Sequence, residues 1–202
     1  MLIHGLTGGI ATGKSTVAKI LSDEHQVPVV DADQAGRAIL QPGQSAYSAV
    51  VKAFGREILM PDGQINRRHL RTMIMESAEK RHLLETITHP AIQLHLGAQL
   101  SELARAGAAH AFVEAALMVE TGSYRMYTGL IVVTCRQGIQ MARLMARDGH
   151  SHQEAQQLLA AQLPLSEKEA VATVLINNND DMAELYAATD RAWASYKNLI
   201  VQ

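Results

Sequence analysis

The chain has 202 residues, 48% of them hydrophobic, which is enough to bury a core and excludes disorder and small disulfide scaffolds. Lys plus Arg number 18 against 20 for Asp plus Glu, so the net charge is -2 and no basic excess marks a protein that tracks a nucleic acid. A single cysteine, Cys135, forms no internal disulfide and no cysteine-based zinc site, which fits a reducing compartment.

Apolar runs such as Ala115 to Val119 and Leu130 to Val133 fall far short of the roughly 20 residues needed to cross a bilayer, so no membrane partner is expected. The opening MLIHGLTGG lacks a basic leader and a long apolar stretch. The expectation is a mature, cytoplasmic chain.

In chain order, Leu2 to Thr7 reads as a short buried strand running into a glycine-rich turn, and Lys14 to Glu24 has helical spacing. Val27 to Val30 is a second strand. From Ser45 to Leu103 no convincing strand occurs; helix formers are punctuated by ProAspGly at 61 to 63 and by His89 and Pro90, which reads as a helical insertion. Ala111 to Leu117 and Leu130 to Thr134 follow as buried strands, then a helix over Ile139 to Asp148. The polar stretch from Gly149 to Leu165 is a second insertion, before a fifth strand at Thr173 to Ile176 and a last helix at Met182 to Leu199. This alternation predicts an α/β fold with a parallel five-stranded sheet. Its core comprises 1–44, 104–148 and 166–202, with insertions at 45–103 and 149–165.

Gly8 to Ser15 reads GGIATGKS, the phosphate-loop pattern GxxxxGK[ST], between a predicted strand and a predicted helix. Glycines let successive backbone N–H groups curl around phosphates, Lys14 reaches the β and γ phosphates, and Ser15 offers its hydroxyl to Mg2+. The helix that follows aims its positive end at the same anion. The chain is thus expected to have a P-loop NTPase core that binds ATP. No NKxD guanine-reading tetrad occurs, and the chain leaves no room for a further partner domain, which favours a compact kinase over a switch GTPase or a motor.

Strand two ends in Asp31-Ala32-Asp33, placing two carboxylates at the C-terminal edge of a parallel sheet, where ligands of such sheets bind. Asp33 is either the group that accepts the proton of an attacking hydroxyl or the cap of a helix starting at Gln34. Glu114 is a lone acid in an apolar strand, and it either helps hold a magnesium water or the acceptor, or forms a salt bridge to a buried basic residue. Gln140, Arg143 and Arg147 share a helix face. Those arginines either clamp the nucleotide and neutralise charge on the transferring group, or lie solvated with Asp148 as a partner. Nine histidines occur, with His150 and His152 closest together, but no metal-ligand pattern surrounds them.

Read together, several segments resemble dephospho-CoA kinase. They are GLTGGIATGKST at 5 to 16, DAD at 31 to 33, INRRHLR at 65 to 71, LETITHPAI at 84 to 92, EAALMVETG at 114 to 122, QMARLMARDG at 140 to 149 and INN at 176 to 178. The resemblance implies a core like that of nucleoside monophosphate kinases, a helical insertion (45–103) that receives the CoA moiety, and a lid (149–165). It also implies ATP-dependent phosphorylation of the ribose 3′-hydroxyl of dephospho-CoA, the last step of coenzyme A synthesis. Carried over to this chain, Gly8, Gly9, Ala11, Thr12, Gly13, Lys14, Ser15 and Thr16 bind ATP phosphates, Asp33 is the base, and Arg143 and Arg147 serve the lid side. Thr7 and His89 join Asp33 and Glu114 as candidate acceptor contacts. Three departures stand out: AlaThr at 11 and 12 where the family usually has GlySer, Ala116 where it usually has proline, and Leu158 where it usually has arginine. The rival readings are another P-loop small-molecule kinase and a nucleotide-binding regulatory module without transfer activity.

Overall fold

The computed structural model describes Met1–Ile200. Five strands, β1 (Leu2–Gly8), β2 (Val29–Asp31), β3 (His110–Glu114), β4 (Leu130–Thr134) and β5 (Val174–Asn177), form one sheet in the order β2-β3-β1-β4-β5. Every pairing is parallel. With β1 in the centre, the loop that leaves its C-terminal end lies between the ends of β3 and β4, the switch point of a parallel sheet.

The chain divides into two compact units, Met1–Asp31 with the segment from Leu103 onward, and Ala32–Glu102. In the first, α1 (Lys14–Asp23) and α9 (Met182–Ile200) pack their apolar faces on the sheet. Val17, Ile20 and Leu21 of α1 meet Leu6, Phe112, Ile131 and Val133 of the strands and Leu185 and Trp193 of α9. Strands buried on both faces read as apolar runs, which is why the sequence located them. The exception is His4, fully buried in β1. Its ring nitrogens are 3.0 Å from His110 Nδ1 and 3.0 Å from the Tyr196 hydroxyl, and burial pushes its pKa down to about 4. The unit also holds α6 (Gln137–Asp148), α7 (His152–Ala160) and the short α8 (Leu165–Glu169). Ser151 starts α7 through a capping box with Glu154.

The second unit contains α2 (Ala32–Ala38), α3 (Ser45–Phe54), α4 (Arg67–Glu76) and most of α5 (Ala78–Arg105). Its own apolar cluster is Val50, Phe54, Ile58, Ile65 and Leu70. The unit begins at Ala32, where the sequence placed the insertion at 45–103.

Three boundaries differ from expectation for identifiable reasons. β2 starts at Val29 because Pro28 has no N–H to donate, although its carbonyl still accepts from the Phe112 N–H at 2.9 Å. β3 ends at Glu114 rather than Leu117, since the Thr7 hydroxyl captures the Ala115 carbonyl at 2.7 Å and the chain turns away. Pro90 does not end its helix: α5 runs through it, at the cost of the one main-chain bond that proline cannot donate. No helix among the described residues is long and apolar enough to cross a membrane.

Candidate active site around the phosphate loop

β1 delivers Gly8 to the edge of the sheet opposite Val133 of β4. A Cβ on Gly8 would lie 2.5 Å from the Val133 carbonyl oxygen, so the strand can exit into the loop only with glycine there. The loop closes on itself at Thr12, which is fully buried and whose hydroxyl donates to the Gly9 carbonyl at 2.9 Å. Gly13 then takes a left-handed conformation (φ 93°) as the N-cap of α1, and no side chain caps the helix. The Thr16 N–H turns back to the Gly13 carbonyl at 3.0 Å, while the N–H groups of Lys14 and Ser15 precede the first helical bonds, which makes this end an anion seat.

Lys14 Nζ lies 2.5 Å from Glu114 Oε1, and the Ser15 hydroxyl donates to the same oxygen at 2.9 Å. Glu114 is 5% exposed. A basic residue does pair with Glu114, but it is the half-buried phosphate-loop lysine itself. Cation, hydroxyl and carboxylate therefore meet at one point, and the β2–β3 register sets Asp31 beside Glu114.

The crest of the loop is gripped from two sides. Gln140 Nε2 donates to the Ile10 carbonyl at 2.6 Å, while the Ile10 N–H donates to Gln162 Oε1 at 2.8 Å. Behind the loop, Asn178 Nδ2 donates to the Thr12 carbonyl at 2.8 Å. Arg143 donates to the carbonyl of Asn178 at 3.0 Å and to its Oδ1 at 3.2 Å, so Arg143 reaches the phosphate loop through one intervening side chain. Arg143 also stands against Cys135, whose thiol burial pushes up while the guanidinium pulls the other way. Arg147 instead pairs in two bonds with its neighbour Asp148 and holds that carboxyl below its ordinary range.

Thr7 is fully buried, with its hydroxyl on the Ala115 carbonyl. Asp33 is the second residue of α2, which starts at Ala32 and not at Gln34, so Asp33 lies in a first turn rather than at a cap. His89 is exposed on α5. The structure thus draws Gly8 to Thr16, Glu114 and Arg143 into one network, whereas Asp33 and His89 belong to the helical unit. Sequence reasoning missed the contacts of Asn178 and Gln162. Asn178 lies in the INN segment, but 166 residues separate it from Thr12, and no spacing pattern shows such a contact.

The family model for dephospho-CoA kinase matches residues 2–184. The chain belongs to the dephospho-CoA kinase family. A dephospho-CoA kinase from Geobacter sulfurreducens is 46% identical over 194 residues, covering 96% of this chain and 98% of that protein. A solved structure of a Thermus thermophilus protein is similar with a TM-score of 0.84 at 28% identity, over 96% of this chain and 97% of the other. The solved dephospho-CoA kinase from Campylobacter jejuni gives a TM-score of 0.69 at 26% identity, covering 96% of each chain.

Within the dephospho-CoA kinase family pattern, the three departures now have locations. Ala11 adopts φ 60°, the left-handed region in which glycine is the unstrained choice, so alanine there carries a cost of about 1 kcal/mol. Ala116 presents its carbonyl to Lys168 Nζ at 2.8 Å. Leu158 lies half-buried on α7.

Proposed function

We propose that the chain transfers the γ-phosphoryl group of ATP to the ribose 3′-hydroxyl of dephospho-CoA, giving coenzyme A and ADP. The observation that carries this reading is a phosphate loop whose lysine, serine and buried acid converge within hydrogen-bonding distance, in a chain matched along most of its length by the dephospho-CoA kinase family.

The backbone N–H groups at the start of α1 and the Lys14 ammonium bind the β and γ phosphates, and Lys14 leaves Glu114 in part to do so. Mg2+ fits the donor set: Ser15 and Glu114 offer hard oxygen ligands, and this ion takes few protein ligands when phosphates complete its shell. When bound, it neutralises charge on the phosphate oxygens. Asp33 accepts the proton of the 3′-hydroxyl while the ribose oxygen attacks the γ phosphorus and the bond to the β-bridging oxygen breaks. Arg143 orders the rear of the loop through Asn178, and Arg147 faces the lid side. On this reading the helical unit receives the CoA moiety, with His89 and Thr7 on the acceptor side, and residues 149–165 form the lid. A cytoplasmic location suits an enzyme whose one cysteine is a buried free thiol.

The test is ADP release by the purified protein with Mg2+ and ATP, with and without dephospho-CoA. Release that depends on dephospho-CoA is expected. ATP binding with no acceptor-dependent ADP would overturn the assignment of this activity to the chain.

A further inference from the structure

Lys168, on α8, is 0% exposed. Its ammonium donates to Glu120 Oε1 at 2.6 Å and to the Ala116 carbonyl at 2.8 Å. Glu120 Oε1 also accepts from the Leu163 N–H at 3.2 Å, while Glu120 Oε2 is buried without a hydrogen-bond partner. As a device for stability this is a poor arrangement, because a buried ion pair rarely outperforms an apolar pair of the same shape and a half-satisfied carboxylate makes it worse. Another reason for its presence lies in what the pair grips.

Ala116 is two residues past Glu114, and the intervening Ala115 carbonyl is bound by Thr7. Lys168 therefore fixes the chain just beyond the carboxylate that meets Lys14 and Ser15. The segment carrying Lys168 is tied down twice more: Gln162 to the Ile10 N–H of the phosphate loop, and Glu169 to the Thr134 hydroxyl at the end of β4. One stretch of chain, 162–169, thus straps together the exits of β1, β3 and β4.

We infer that Lys168, with Glu120, is a positioning residue for phosphoryl transfer, holding the exit of β3 so that Glu114 presents its carboxylate to Lys14 and Ser15. Lys168 touches no reacting atom and acts through Ala116 and the backbone that leads back to Glu114. This rests on the reading of Glu114 as part of the kinase site.

The experiment compares the wild type with Lys168→Met and with Lys168→Met/Glu120→Leu, which removes both charges. Thermal stability, kcat, and KM for ATP and dephospho-CoA are read on each. The double variant is expected to melt at or above the wild-type temperature, yet to lose about tenfold or more in kcat with KM for ATP changed less than about threefold, the signature of a displaced catalytic group. A double variant that is stable and turns over within about twofold of the wild type would overturn the inference and make the pair purely structural. If that variant fails to fold, the isosteric Glu120→Gln takes its place, with the same loss of kcat expected and an unchanged kcat fatal to the proposal. A wild type that forms no coenzyme A would instead sink the activity itself, so the two failures are distinguishable.

Discussion

Around the phosphate loop, side chains grip groups a hundred residues or more away: Lys14 the Glu114 carboxylate, Gln162 the Ile10 N–H, Asn178 the Thr12 carbonyl. The helical unit, Ala32–Glu102, is bound differently. Its apolar cluster draws on residues close in sequence, from Val50 to Leu70, and its side-chain bonds span short stretches, such as Tyr47 to the Gly63 carbonyl and Arg67 to the Arg37 carbonyl. A site that must hold a polyanion in one geometry needs directional, long-range polar bonds, whereas a helical scaffold coheres mainly on apolar burial, with polar bonds of shorter span beside it. Loss of a single polar contact should therefore damage chemistry in the first region, and loss of a single apolar contact should damage folding in the second.

The largest effect is expected from Lys14→Ala, which removes the cation from the phosphate seat and leaves Glu114 buried without its partner. ADP formation should fall by about 10³-fold and ATP binding should weaken, as read by steady-state rates and calorimetry. Asp33→Asn separates the two regions more finely. Turnover should drop by about 10²-fold or more while ATP affinity stays within about twofold, and near-normal turnover would remove Asp33 from the role of base.

Phe54→Ala tests the helical unit on its own terms. Opening the cluster around Val50, Ile58 and Leu70 should cost about 3–5 kcal/mol of stability, and KM for dephospho-CoA should rise while ATP binding persists. Acid should act in the reverse sense. His4 is buried in the nucleotide unit, whereas the helical cluster is wholly apolar. Its folded pKa of about 4 lies below the unfolded value of 6.5, so its contribution is complete above pH 6.5 and is lost as the pH falls toward 4, roughly 3 kcal/mol in all. Melting temperatures from pH 7 to 4.5 should fall more steeply for the wild type than for His4→Asn. The smallest effect is expected from Ala11→Gly. Relief of the left-handed alanine should raise stability by up to about 1 kcal/mol, offset in part by greater freedom in the unfolded chain.

The same contrast explains how far the sequence could be read. Strands β1, β3 and β4 were legible because a doubly covered parallel sheet leaves continuous apolar runs, and the loop from Gly8 to Ser15 because its chemistry compresses into one short spacing. Glu114 drew notice as an acid among apolar neighbours, but its partner 100 residues away was not visible. Gln162 lay hidden in a polar stretch, since an amide that grips a distant main chain looks the same in sequence as one facing water. In the helical unit, Pro90 read as a break because local propensity disfavours it, whereas the packed helix carries the chain through.

The measurement closest to the central claim is to incubate the protein with Mg2+, ATP and dephospho-CoA, then read the product by mass and by phosphorus NMR, beside Lys14→Ala. One added phosphate on the ribose 3′-oxygen is expected, with its near absence in the variant. ATP turnover that leaves dephospho-CoA unmodified, or equal product from Lys14→Ala, would contradict the claim.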